Sequence, residues 1–199
     1  MKERLAQVHH YWFGDFESTA DIIRQKGKLW FGKDEQVDRY IREQFSDLIE
    51  LGSDRRIPSD GLSPQLRLSV ILLLDQFTRN IYRNDPRSFA SDPLALKLAQ
   101  ELMTQAGGLL RPIEKVFLYL PLEHSEELDD QKKSVALFRH LHETAELSVK
   151  ETFASFYDYA VRHHDIIDRF GRFPHRNKIL GRASTVEEID FLSQPGSSF

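Results

Sequence analysis

Lys150-Glu151-Thr152-Phe153-Ala154-Ser155-Phe156-Tyr157-Asp158-Tyr159-Ala160-Val161-Arg162-His163-His164-Asp165-Ile166-Ile167-Asp168-Arg169-Phe170, closed by Gly171, is the stretch that decides the fold. Phe153, Phe156, Tyr159, Ala160, His163, Ile166, Ile167 and Phe170 recur every three or four residues. That spacing gathers them on one face of a helix, and the glycine supplies the stop. A stripe of this length must be covered by other helices to leave water.

Working outward, the same period appears wherever the chain is apolar. Val37, Tyr40, Ile41, Phe45, Leu48 and Ile49 make a stripe within 34–50, with Gly52 expected as its stop. Ser63-Pro64 places a capping hydroxyl before a proline at the first helical position. The helix it opens runs to about Tyr82 and is apolar on nearly every side through Leu74, so it belongs at the centre. Asp92-Pro93 repeats the start signal for a helix reaching Gly107. Pro112 to Tyr119 reads as helix until Pro121, which removes a backbone donor and is expected to end or kink it. A further helix is expected over about 130–142, and Thr185-Val186-Glu187-Glu188 matches a capping box opening a short helix to near Leu192. No strand of alternating polarity longer than four residues competes. The sequence therefore predicts an all-α fold of about eight helices, with short connections favouring antiparallel neighbours. The expected organisation is one domain over 1–193 and a flexible tail over 194–199.

Composition limits what such a fold can do. The 199 residues are 40% hydrophobic and include 14 Phe, 6 Tyr and 2 Trp, enough apolar material for a core. There is no cysteine, which excludes disulfides, thiolate nucleophiles and cysteine-ligated metal sites. A net charge of −4 offers no overall attraction to nucleic acid or anionic lipid, so neither is expected as a partner. The amino terminus leads into a mixed polar stretch rather than an apolar secretion signal. The most apolar run, Val70 to Leu74, is far shorter than the roughly 20 residues that cross a bilayer. A cytoplasmic protein is the expectation.

Three polar segments stand out. In Asp75-Gln76-Phe77-Thr78-Arg79-Asn80-Ile81-Tyr82-Arg83 the central helix turns abruptly polar. Asp75 and Arg79 can pair four residues apart, and Arg79 with Arg83 could present two guanidiniums to a carboxylate or phosphate. An internal salt-bridge network explains the same residues. Around His124, four carboxylates (Glu126, Glu127, Asp129 and Asp130) could orient the imidazole as a general base, or simply favour a helix start. Adjacent His124 and Ser125 diverge on a helix and do not form a nucleophile-base pair. The segment 161–182 carries six basic against two acidic side chains, a net +4 that leaves −8 on the rest. His163 lies on the apolar stripe, where a satisfied core histidine is the simpler reading. Phosphate-binding, dinucleotide, nucleophile-elbow and metallohydrolase motifs are missing, as are Glu-x-x-His pairs. No cofactor and no metal site are expected. Tyr11-Trp12-Phe13-Gly14 and Leu29-Trp30-Phe31-Gly32 echo each other eighteen residues apart without a sustained repeat.

Taken together, Leu74 to Arg83, Pro121-Leu122-Glu123-His124-Ser125-Glu126, His163, and Phe170-Gly171-Arg172-Phe173-Pro174-His175-Arg176-Asn177 with Leu180-Gly181-Arg182 are familiar. They resemble the domain-of-unknown-function 924 family of mainly bacterial proteins, as do the two Trp-Phe-Gly elements. One departure is Thr78, where the family pattern has proline. The resemblance implies an all-helical fold of stacked antiparallel pairs related to the tetratricopeptide-like superfamily, and it implies no activity. It carries over as polar motif residues Asp75, Gln76, Arg79, Asn80, Arg83, His124, Ser125, Glu126, Asp130, Gln131, His163, Arg172, His175, Arg176, Asn177 and Arg182. The leading expectation is an anionic small molecule or peptide end, held by Asp75, Gln76, Arg79, Asn80, Arg83, His163, Arg172, Arg176, Asn177 and Arg182. His124, Glu126 and His175 are the candidates for proton transfer. The rivals are a hydrolase or lyase with His124 as general base oriented by Glu126, and a scaffold whose polar network only enforces packing.

Overall fold

The computed structural model describes residues 1–58 and 60–197. Nine helices and four short 3-10 turns make up the regular structure of these residues, and there is no strand among them. They are α1 (Lys2–Phe13), α2 (Thr19–Phe31), α3 (Glu35–Ser53), α4, α5 (Asp92–Ala106), α6 (Pro112–Glu123), α7 (Leu128–Thr144), α8 (Lys150–Phe170) and α9 (Val186–Leu192). Helix α4 is one rod in three parts: an α-helical stretch Pro64–Leu72, a π-helical turn Leu73–Phe77 and a final α-helical turn Thr78–Ile81.

The expected boundary chemistry is present at most ends. Asp34 and Ser63 accept backbone N–H groups of Gln36 and Leu66. Thr185 and Glu188 make both bonds of the capping box. Gly171 closes α8 at φ +66°, a left-handed conformation glycine adopts without penalty. Two expectations are corrected. Gly52 lies inside the last turn of α3 rather than beyond it, where a Cβ would come within 3.3 Å of Leu74 Cδ2. Its role is the close approach of α3 to α4. Pro121 does not end α6, which continues to Glu123 with Pro121 buried inside it. Burial of the whole segment from Leu120 to Glu123 outweighs the one lost bond.

Leu68 to Leu74 of α4 are buried on every side, as their uniform apolarity requires. Around them Leu5, Val8, Trp12, Phe13, Ile41, Phe45, Phe77, Phe117 and Phe153 join one continuous core. The two Trp-Phe-Gly elements meet there: the Trp30 indole donates to the Trp12 carbonyl at 2.9 Å. A second, smaller cluster holds Ile166, Ile167 and Phe173, with Leu128, Phe170 and Phe191 against it. Of the expected tail, the Gln194 amide bonds to the Phe191 carbonyl and the Ser197 hydroxyl to that of Leu192. The remainder of that expectation falls on 198–199, outside the described residues. No helix among the described residues is long and apolar enough to cross a membrane.

Candidate functional site

The π turn is where the central helix becomes polar. Each π bond spans one more residue than an α bond, so backbone carbonyls are freed from their usual partners. Side chains one turn later take them up: the Thr78 hydroxyl donates to the Leu74 carbonyl at 2.8 Å and Arg79 Nη1 to that of Asp75.

Asp75 is 1% exposed and sits at the hub. Its Oδ1 lies 2.7 Å from His124 Nδ1 and 3.3 Å from Arg79 Nη1, while the Gln76 amide donates to Oδ2. Burial alone would raise the carboxyl pKa, but His124 and Arg79 outweigh it and hold Asp75 ionised. A carboxylate only accepts, so His124 Nδ1 carries the hydrogen and Nε2 the lone pair. Burial, reinforced by the Arg79 charge, pushes the His124 pKa down despite Asp75, keeping the ring neutral.

Arg79 continues the network outward, making two 2.9 Å bonds to the Asp92 carboxylate at the start of α5. Arg176, from the connection between α8 and α9, reaches the same place. Its Nη2 donates to the His124 carbonyl at 3.0 Å, and Nη1 lies 3.5 Å from Asp92 Oδ2. The guanidinium lies between Phe89 and Phe173, at 4.7 and 4.4 Å from their ring centres. Its Nε is buried with no hydrogen-bond partner. Burial and then repulsion from Arg79 lower its pKa to about 10.

Behind this layer, His163 Nδ1 is 2.8 Å from the Tyr159 carbonyl and 3.2 Å from Glu123 Oε1. Burial above all brings its pKa to about 3; it is the core histidine its place on the stripe suggests. Burial and the nearby Asp75 push Glu123 the other way, to about 8. His175 falls to about 4 through burial and the Arg176 charge, and its ring stands 5.6 Å from that of Phe173.

The remaining expected residues lie apart from this centre. Asn80 and Arg83 both bond Asp38 of α3, which separates Arg83 from Arg79 instead of pairing the two guanidiniums. Glu126 does not orient His124: its carboxylate accepts two bonds from Arg182, at 2.7 and 2.9 Å, and the Phe173 amide at 2.8 Å. Asp75, forty-nine residues upstream of His124, is the orienting group that sequence spacing missed. Arg172 forms two bonds to Glu188, and Asn177 bridges Glu188 to Arg182. Ser125 is held by Asp130, and Gln131 donates to the Glu123 and Ser125 carbonyls, fixing the loop after α6. Asp92 and Phe89 were outside the expected set; the Asp92 carboxylate makes no capping bond at the start of α5 and accepts from Arg79 instead. Among the described residues, no group of three or more His, Asp or Glu is placed to hold a metal ion.

The site is therefore a buried, charge-balanced layer in which Asp75, Arg79, His124, Asp92, His175 and Arg176 meet. Its outer edge is open to water, with the side chains of His124, Asp92 and Arg79 14, 16 and 21% exposed. Two surface hollows, of about 680 and 510 Å³, are lined by other residues; the smaller includes Thr78 and Ser91, next in the chain to Arg79 and Asp92.

A family model described as a bacterial protein of unknown function (DUF924) matches residues 8–196. A solved structure of a protein of unknown function from Agrobacterium tumefaciens is similar, with 31% identity and a TM-score of 0.78 over 94% of this chain and 96% of that one. No curated protein matches.

Proposed function

The chain belongs to the DUF924 family of bacterial proteins of unknown function, and we propose from its own geometry that it binds a compact anion at Arg176. The anion is a carboxylate or phosphate group of a small molecule. Arg176 carries this reading because, of the arginines in the expected set, it is the one whose nearest carboxylate is shared and distant. Arg79, Arg83, Arg172 and Arg182 each hold a carboxylate by two close bonds. Arg176 has only a carbonyl, a 3.5 Å approach to an Asp92 already taken by Arg79, and two phenyl faces. A buried guanidinium with an unmatched edge is costly, and an anion in its plane would offset that cost with charge-assisted bonds. The phenyl faces hold the fork flat, so its orientation is settled before anything binds.

A second reading rests on the 2.7 Å Asp75–His124 contact. A histidine with Nδ1 committed to a buried carboxylate has Nε2 available as a base, the arrangement a hydrolase or lyase needs. Because the Ser125 hydroxyl is held by Asp130, the species activated would be water or a substrate carbon acid. On either reading Arg83, Arg172, Asn177 and Arg182 are structural. The site is read as that of a cytoplasmic protein with no nucleic-acid partner.

The test replaces Arg176 with Gln and titrates a panel of short carboxylates and phosphate monoesters by thermal shift and calorimetry. The best anion for the wild type is expected to bind the variant about tenfold or more weakly, a loss of about 1.4 kcal/mol or more. The unliganded variant should unfold within about 1 kcal/mol of the wild type, since Asp92 keeps Arg79. Binding that persists in the variant overturns the proposal. A loss of about 3–5 kcal/mol without ligand would assign Arg176 to a purely structural ion network.

A further inference from the structure

We infer that the hollow between α1, α2 and α3 is a second binding site, for a small molecule whose planar aromatic ring carries an anionic group. None of the residues lining it belongs to the Asp75 layer, and its chemistry is set by a lysine rather than by arginines.

Every arginine of the polar network reaches a carboxylate, but Lys26 does not. Among the described residues, the contacts of its ammonium are the Tyr11 carbonyl, at 3.0 Å, and the Tyr11 ring, 5.9 Å from its centre. Burial lowers its pKa, with no acidic neighbour opposing the shift. An ammonium has three donors and one is used, so two remain for a guest. The position is built, not incidental. Gly14 ends α1 at φ +69°, and a Cβ there would come within 2.5 Å of the Phe16 ring and 3.2 Å of Lys26 Cε. Glycine here leaves room above all for the Phe16 ring, and the lysine stem crosses the same turn with its head at the hollow. The Phe-Gly of the first aromatic element therefore does more than close a helix.

Beside that ammonium stands a wall of aromatic rings. Tyr11 and Tyr40 are stacked, 4.7 Å between centres at 21°, and Phe45 is set at 53° to the first and 74° to the second. All three line a hollow of about 680 Å³ together with Lys26, Gln7 and Gln44. Tyr40 is 44% exposed, which leaves ring surface for a planar guest. The lining's carboxylate is Glu3, on the first turn of α1, and it makes no ion pair with Lys26. An aromatic face beside an unneutralised ammonium complements a ring bearing a carboxylate or phosphate: stacking holds the ring and the lysine its charge.

The experiment measures saturable binding to the full chain by ligand-observed NMR and calorimetry. The probes are 2-naphthoate and 1-naphthyl phosphate, with 2-naphthalenemethanol as the neutral ring and cyclohexanecarboxylate as the non-aromatic anion. The expected result is tighter binding of the naphthyl anions than of either control, the two arms showing which anion is preferred. Lys26→Met should weaken both naphthyl anions about tenfold and leave the neutral ring unchanged, and Lys26→Arg should restore most of the loss. Tyr40→Leu, at an exposed position, tests the wall without disturbing the core: it should weaken the naphthyl probes and not the cyclohexane one. Absence of saturable binding up to about 1 mM, or equal affinity in wild type and both the Met and Leu variants, overturns the inference.

Discussion

The helical body and the segment from Gly171 to Leu192 are held together by different forces. The body closes around Trp12, Phe77, Phe117 and Phe153, fully or almost fully buried in one apolar cluster. The carboxyl-terminal segment meets the body through a small apolar contact at Phe173 and through polar bonds, from Arg182 to Glu126 and from Arg176 to the His124 carbonyl and Asp92. These pairs are partly open, with Arg182 and Glu126 side chains 24 and 28% exposed, so salt weakens them while the body is indifferent to it. The difference bears on the site. Asp75 and His124 come from the body, whereas His175 and Arg176 belong to the segment held by the smaller apolar cluster and by ion pairs.

Three measurements can break or sharpen this contrast. The largest effect is expected from Phe77→Ala, which empties the centre of the body and should cost about 3–5 kcal/mol in a single cooperative unfolding transition. A transition that splits in two would instead separate the body into independent parts. Next comes Arg182→Ala, which strips Glu126 of its partner and the Phe173 carbonyl of a donor. It should cost about 1–3 kcal/mol. Hydrogen exchange should accelerate across 171–182 while α4 amides stay protected; equal acceleration in both regions would dissolve the distinction. The effect that depends on pH belongs to Glu123→Gln. Burial and the nearby Asp75 push Glu123 up to about 8 in the fold from an ordinary 4.5, so its folded form prefers the proton. Native stability is then lost as pH rises from 4.5 to 8, because the unfolded chain ionises first. The glutamine variant, which cannot ionise, should match the wild type near pH 4 and gain melting temperature over it through pH 8. A constant offset across that range would refute the assignment. His163, at about 3 in the fold, acts on the other flank: its neutral form favours the native state above pH 6.5, and that advantage is lost as pH falls toward 3.

How far the sequence could be read depended on the range of the interaction. The period of 150–170, the hydroxyl before Pro64 and the capping box at Thr185 are local devices, and each appears as a helix or a helix end. Pro121 misled because a local rule met a burial energy that only neighbouring helices supply. At the site, Asp75 with Arg79 was legible because four residues make one helical turn. Glu126 was mistaken for the partner of His124 because proximity in sequence was the only guide available. The actual partner is Asp75, delivered by a different helix.

Alone, the order of residues determined that this chain is all-helical, that its centre is the apolar run before Leu74, and which polar groups are dense enough to matter. Tertiary structure alone decided which carboxylates the guanidiniums of the site hold, leaving Arg176 a shared and distant one and Lys26, among the described residues, no ion pair. The physical reason is that helix formation is governed by neighbours three and four residues away, whereas Coulomb energy and desolvation depend on distance and burial in space, which the pattern along a chain does not encode.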